Sequence, residues 1–269
     1  MYAILLNEQQ KLDLEKTAHI LAKAENLVYG DATRAVRTCT GILARNLPYD
    51  EATRIADELS ANGVGCFVLA MAEFYHPPDA RVIMGVELRP EAFGAMDLYG
   101  RVQPIPWSAI VLLCLGYIAE QRREHYTLGD QSGDSGQALS VALSVGLRLG
   151  VMGAVRPSAQ EPPRRQPKES AKYVLDVFAY GSTEGHWRIE HNGFNYSCLG
   201  ASRRERADEN FPLLVNEVVQ RATSSYCNRG LNAFLGRSPV RAYTYNGLNH
   251  FDEENLWLLQ KVVPNLPSP

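Results

Sequence analysis

Between residues 2 and 70 the apolar pattern switches repeatedly between strand-like runs and helical stripes. Tyr2-Ala3-Ile4-Leu5-Leu6 is a short continuous apolar run and predicts a buried strand. Leu14, Ala18, Leu21 and Ala22 or Ala24 recur at helical spacing, with Lys16, His19 and Lys23 on the other side. Residues 12–25 therefore read as a helix, which Asn26 can stop in a left-handed conformation. Asp31 is placed to cap a second, short helix through Val36 and Thr38, and 41–45 reads as a strand. The best-marked element follows. Pro48 suits a first helical turn and Gly63 a left-handed residue just past the end, while Ala52, Ile55 or Ala56, and Leu59 share one face. On the opposite face Asp50 with Arg54, and Arg54 with Glu58, have the spacing of i,i+4 pairs. Val64 to Leu69 then gives a strand, and the order is β-α-α-β-α-β.

Pro77-Pro78 marks a boundary, after which the pattern becomes predominantly strand-like. Segments 81–88, 93–99, 102–107 and 109–118 read as strands, as do 173–180 and 187–196. Residues 210–222 predict a helix with Phe211, Leu214 or Val215, Val218 and Ala222 on its apolar face. A short helix over 229–235, a strand over 240–245 and a closing helix over 251–263, with Leu256, Leu259 and Val263 inward, complete the chain. The simplest assembly joins the strands of 81–118 and 173–196 in one antiparallel sheet backed by the 210–222 helix. The fold class expected is α+β. A small domain over 1–75 precedes a larger antiparallel-sheet domain over 79–120 plus 172–269.

Between those two stretches the composition turns polar and rich in Gly, Ser, Pro and Arg. Gly129-Asp130-Gln131-Ser132-Gly133-Asp134-Ser135-Gly136 is of the kind found in mobile linkers, so 121–171 reads as a flexible insertion. Within it, Leu139, Val141, Leu143, Val145, Leu147, Leu149 and Val151 alternate as in a strand, while Leu139, Leu143, Leu147 and Val151 also fit a helix. Glycines, serines and Arg148 interrupt this stretch too often for a spanning helix, which needs about 20 mostly apolar residues, so no transmembrane span is expected.

The residues Tyr2 to Leu6, then Ala24-Glu25-Asn26-Leu27-Val28-Tyr29-Gly30-Asp31-Ala32, then Asp50-Glu51-Ala52 through Ala61-Asn62-Gly63 and a final strand, resemble the C-terminal domain of the bacterial ribosomal stalk protein. The Clp-protease adaptor shares that fold. The resemblance covers 2–70 and implies a domain that contacts another protein. The adaptor family uses acidic and Asn residues after its first strand and a His near its second helix. Here Asn7-Glu8-Gln9-Gln10 and Cys39-Thr40 stand there, so most of that binding chemistry is absent. The stalk family docks on a basic helical surface. Lys16, His19 and Lys23 make a basic stripe at spacings of three and four, without matching that family position for position. They are the candidate partner-binding residues, set against the plainer account of a solvated helix face. In the remainder of the chain, the succession of strands, Ile105-Pro106-Trp107-Ser108-Ala109-Ile110, more strands and a packing helix weakly resembles a pleckstrin-homology-like barrel.

Composition removes several classes. A net charge of −3 gives no electrostatic case for nucleic acid. Cys39, Cys66, Cys114, Cys198 and Cys227 are odd in number, widely spaced and free of Cys-x-x-Cys pairs. With no signal-peptide pattern at the N-terminus, they predict reduced thiols in a cytoplasmic protein, with no disulfide frame or zinc site.

Catalytic patterns are equally thin. Gly133-Asp134-Ser135-Gly136 is similar to the serine loop of trypsin-like proteases, and Thr17-Ala18-His19 to their histidine segment. Gln137 stands where that family has Gly, and the Ser lies in the linker, so we read a chance match. His186 and His191 are five apart on one expected strand, which turns them to opposite faces and prevents a shared ion. Asp252-Glu253-Glu254 and Asp208-Glu209-Asn210 open helices, where acids favour the macrodipole. Trp187 is expected on one face and Phe194 with Tyr196 on the other, all as core. Neither dinucleotide nor phosphate loops are present in the right order, and no cofactor is expected.

The function these observations favour is a non-catalytic, cytoplasmic protein-binding or regulatory role through the N-terminal domain. One alternative is a hydrolase or transferase with a site between the domains, using His186 or His191 beside an Asp or Glu brought near in space. Another is lipid-surface binding by a patch around Arg81, Arg89 and Arg101.

Overall fold

The computed structural model of the chain describes residues 1–8, 12–24, 27–120, 170–181 and 185–265. The expected flexible insertion, the 138–155 pattern and Ser135 therefore lie outside the described residues, apart from 170 and 171 at the insertion's end. The architecture is α+β.

In the N-terminal part, β1 (Tyr2–Leu6) lies between β2 (Ile42–Leu47) and β3 (Cys66–Ala70) and is antiparallel to both. Its central position accounts for an apolar run without alternation: Ala3, Ile4, Leu5 and Leu6 are all buried. The sheet shares one core with α1 (Leu14–Ala24), α2 (Tyr29–Thr38) and α3 (Tyr49–Ala61). The apolar face of α3 is the expected one, with Ala52, Ile55, Ala56 and Leu59 buried. Gly63 follows it at φ +81°, and Pro48 stands just outside the first turn as an extended N-cap. Arg54 and Glu58 form the i,i+4 pair at 3.7 Å. In α2 the N-cap is Val28, and Asp31 sits inside the first turn, where its charge still suits the helix dipole.

Past Pro77-Pro78 come β4 (Arg81–Val82), β5 (Gly85–Leu88), β6 (Ala92–Met96), β7 (Val102–Pro106), β8 (Ile110–Glu120), β9 (Ser170–Ala179) and β10 (Gly185–Glu190). They do not form the single sheet expected from the sequence. The strands β5-β6-β7 make a separate antiparallel sheet, and β8-β9-β10 form the antiparallel centre of a second one. The reason lies in β7, where Pro104 and Pro106 carry no N–H to extend a ladder, so β7 is an edge. A short 3-10 turn, Trp107–Ala109, then redirects the chain into β8.

The second sheet is completed by two-residue strands running parallel to their neighbours: β4 on β10, and β11 (Tyr226–Cys227) and β12 (Thr244–Tyr245) on β8. Between β10 and β12 run α4 (Ala207–Arg221) and α5 (Arg229–Leu235). Asn228 caps α5 and also extends the β11 ladder with its side chain. Its Oδ1 accepts from Leu231 and Leu115 N–H at 2.8 and 3.0 Å, and its Nδ2 donates to Leu115 O at 3.2 Å. A Cβ at Gly230 would collide with that same Leu115 carbonyl, so α5 rests directly on strand backbone.

The final helix, α6 (Leu248–Val262), is buried on two sides. Phe251, Leu259 and Val262 cover one face of the second sheet, over Leu112, Cys114, Ile118, Val174 and Phe178. Trp257 instead belongs to the N-terminal core, where its indole N–H donates to Leu6 O at 2.9 Å. Gly41, at φ +140°, backs that ring, and a Cβ there would lie inside it. Gln260 pairs with both backbone groups of Tyr75, at 2.8 and 2.9 Å, in the stretch joining the two parts. One helix thus completes both cores.

Candidate functional site

Alternation along β10 divides its residues between two environments. Trp187 and Ile189 enter the core beneath α4, while His186 and Arg188 face α6. The strand ends at Glu190, so His191 is released to the α4 side, and the two imidazoles lie on opposite faces as the spacing predicts. Gly193, at φ +80°, then turns the chain, and Phe194 and Tyr196 join Trp187 in one core. The expected separation of those three aromatics fails because the strand stops before Phe194.

On the α6 face the ladder places Asp176 of β9 opposite Arg188, and the guanidinium grips the carboxylate through two bonds, Nε to Oδ1 at 2.7 Å and Nη2 to Oδ2 at 2.6 Å. His186 Nε2 donates to Oδ2 at 2.8 Å, and Asn255 Nδ2 donates to the same oxygen at 3.1 Å. Arg188 also binds Asp252 of α6. Burial raises the Asp176 carboxyl, but the hydrogen bonds and charges of Arg188 and His186 prevail and hold it below its ordinary value. Burial together with Asp176 nearby lifts the Asp252 carboxyl, against the pull of Arg188.

The acids at 252–254 are not the N-terminal cap expected, because α6 begins at Leu248 and they fall in its second turn. Asp252 serves Arg188, Glu253 approaches Arg45 at 3.9 Å, and Glu254 is buried with Arg229 at 4.0 Å. The His186 ring stacks on Phe178 at 4.1 Å. An Asp-His pair in nucleophilic catalysis holds its negative charge for the imidazolium. Here Arg188 already takes that charge, and the cluster acts as a polar clamp between sheet and α6.

The α4 side is different in kind. His191 N–H donates to Tyr173 O at 3.1 Å, and Tyr173 N–H returns to His191 Nδ1 at 3.0 Å, so the ring replaces a strand carbonyl at the ladder's end. The His191 carbonyl is turned away to accept the Tyr196 hydroxyl at 2.9 Å. Acceptance at Nδ1 assigns the proton of the neutral ring to Nε2, which points toward Asp208 Oδ1 at 3.6 Å. Burial pushes the His191 pKa down, with Asp208 opposing it.

Between them lies a cavity of about 410 Å³, lined by Tyr117, Ala171, Tyr173, His191, Asp208, Phe211, Pro212 and Phe234. Three pairs of its rings are inclined, Tyr117 to Tyr173 at 61°, Phe234 to Tyr173 at 67° and Phe234 to Phe211 at 76°, while Tyr173 and Phe211 stack at 29°. Burial, with Tyr243 alongside, pushes the Tyr173 phenol up to about 12, so it stays protonated at neutral pH. Asp208 Oδ2 is met from outside by Arg206 at 3.1 Å. The cavity offers an N–H donor, a carboxylate and aromatic surface.

The other residues singled out from sequence are scattered. Lys16, His19 and Lys23 are exposed on α1, with Lys16 3.7 Å from Asp13 and the His19 ring 4.5 Å from that of Tyr29. Arg89 binds Glu87 and Arg101 binds Asp97 at 2.8 Å, while Arg81 reaches Gln103 at 3.4 Å. Two of the three arginines are therefore neutralised by acids. All five cysteines are free, and burial pushes every thiol up, to about 11 for Cys39 and Cys198. None has the depressed pKa of an activated nucleophile.

Among the described residues no three His, Cys, Asp or Glu side chains gather to hold a metal ion, and no helix is long and apolar enough to cross a membrane. No family model matches the chain, and no curated protein or solved structure matches it either.

Proposed function

We propose that this chain is a non-catalytic binding protein, and that its ligand site is the cavity beside His191. One observation carries the reading: the His191 Nδ1 lone pair is taken up by the Tyr173 N–H and Nε2–H is left as a donor, an arrangement that suits recognition rather than proton transfer. A general base needs a free lone pair directed at the reacting proton, and the Nδ1 lone pair already accepts the Tyr173 N–H. What remains is a neutral Nε2–H donor facing a carboxylate across an aromatic-lined space. The volume of about 410 Å³ falls within the roughly 300–1,000 Å³ usual for small-molecule pockets.

The test is a fragment screen by saturation-transfer NMR on the full chain, repeated with Ala171→Phe, which fills the cavity from the first residues of β9. Fragments that bind the parent and not the filled variant support the site. Equal binding to both would refute it.

A second reading, contact with another protein through α1, is supported by the common exposure of Lys16, His19 and Lys23 on one helix. Reversing the charges of Lys16 and Lys23 tests it by co-purification, and an unchanged partner set would refute it. Deleting residues 1–75 would be a poorer test, since it strips Trp257 of the core that covers it.

A further inference from the structure

Tyr117, Tyr173, Phe211 and Phe234 line the His191 cavity together with polar groups, and the formal charge facing into it is the Asp208 carboxylate. The π-faces of aromatic rings are negative and attract cations, and rings set at 61° to 76° present surface from several directions. His191 adds no competing positive charge at neutral pH, because burial keeps its ring neutral. Arg206 reaches Asp208 from the solvent side, where both side chains are well exposed, so this pair contributes little and leaves Oδ1 facing inward.

We infer that the cavity takes a small organic cation bearing a methylated ammonium head, and this rests on the proposed role of the cavity as a ligand site. The head would lie against Tyr117, Tyr173 and Phe234, with Asp208 as counter-ion. A methylated ammonium suits this place better than a primary one. A fully methylated, quaternary head is more weakly hydrated and has no N–H groups to satisfy, whereas the one anionic acceptor in the walls is Asp208 and the His191 N–H is itself a donor.

The assignment predicts a pH dependence with a definite sign. The groups facing His191 are Asp208 of α4, the neighbouring Glu190, which Lys172 binds at 2.9 Å, and the protonated Tyr173 phenol. Protonating His191 places a cation in the cavity beside the ligand's own. Affinity is expected to fall as pH is lowered below about 6.5, the unperturbed value for His.

Isothermal titration of the full chain with choline, and with its neutral isostere 3,3-dimethylbutan-1-ol, tests the inference. Choline is expected to bind at least about tenfold more tightly than the isostere, with Asp208→Asn removing most of that difference. Equal affinity for the two overturns the cation assignment and leaves the cavity as an apolar ligand site, and binding of choline unchanged by Asp208→Asn overturns the assignment of Asp208 as counter-ion. A trimethyllysine peptide binding far more tightly than choline overturns the small-molecule assignment. If neither compound binds and the fragment screen also finds nothing sensitive to Ala171→Phe, the ligand site itself fails.

Discussion

Replacing Trp257 by alanine removes from α6 the buried indole that helps complete the N-terminal core. The ring is 2% exposed, and a buried Trp removes about 150–250 Å² from water, which at ~25 cal/mol per Å² amounts to ~4–6 kcal/mol. Truncations of buried aromatics to alanine cost about 3–5 kcal/mol, and the lost bond to Leu6 O adds about 1 kcal/mol. Gly41 has no side chain to settle into the void, so the loss is expected at the upper end, about 4–5 kcal/mol. That is a large part of the roughly 5–15 kcal/mol that stabilises an ordinary domain. Urea denaturation followed by far-ultraviolet circular dichroism measures the loss, and hydrogen exchange locates it. Amides of β1 and β2 are expected to exchange faster in Trp257→Ala, and Trp257→Phe is expected to cost about 1–2 kcal/mol, since a ring remains and the N–H is lost. A cost below about 1 kcal/mol for alanine, or unaltered exchange in β1 and β2, would refute the role given to α6.

Arg188→Met leaves the buried Asp176 charge without its main partner and is expected to cost about 3–5 kcal/mol by denaturant titration, with part of the loss recovered in the Asp176→Leu/Arg188→Met double variant. The depressed Asp176 pKa gives a stabilising contribution that is fully present above the unfolded value near 3.9 and is lost as pH falls through the folded one. Urea midpoints taken from pH 6 down to pH 2 are expected to show a loss in that acid range, larger than in the Asp176→Asn variant. Asn228→Ala removes a helix cap and strands the Leu115 N–H and C=O, and is expected to cost about 3 kcal/mol in the same assay. For His191 the sign is opposite to that of a paired histidine: its folded pKa lies below the unfolded value, so the native state binds fewer protons and loses stability as pH falls below about 6.5. His191→Gln is expected to flatten the dependence of the urea midpoint on pH between 7 and 5.

The N-terminal elements were legible because they rest on local signals. Gly63 takes the positive φ its position suggests, and the stripe of Ala52, Ile55 and Leu59 faces the core. The β7 edge was also written in the sequence, as Pro104 and Pro106 on one short strand, and weighing those prolines would have separated the two sheets. The clamp was partly legible. Asp176 falls at a position that alternates with apolar residues on β9, and His186 and Arg188 share a face of the next strand. Their closure by Asp252 and Asn255 was not, because those residues come from far along the chain and the start of α6 was placed too late. Trp257 gave no sign that it would join the core around Leu6. The His191 cavity was hardest to see, since Tyr117, Tyr173, Phe211 and Phe234 come from four elements, and each alone reads as ordinary core.

Long-range proton–nitrogen correlation spectra of the His191 ring in the full chain test the binding account most directly. The account predicts the Nε2–H tautomer at pH 7, a pKa below 6.5, and a shift of the Nε2 resonance when a cavity ligand is added. An Nδ1–H tautomer would contradict it, for the Nε2 lone pair would then be free for proton transfer, and so would a ring that titrates above pH 7, for it would carry a positive charge into the cavity at neutral pH.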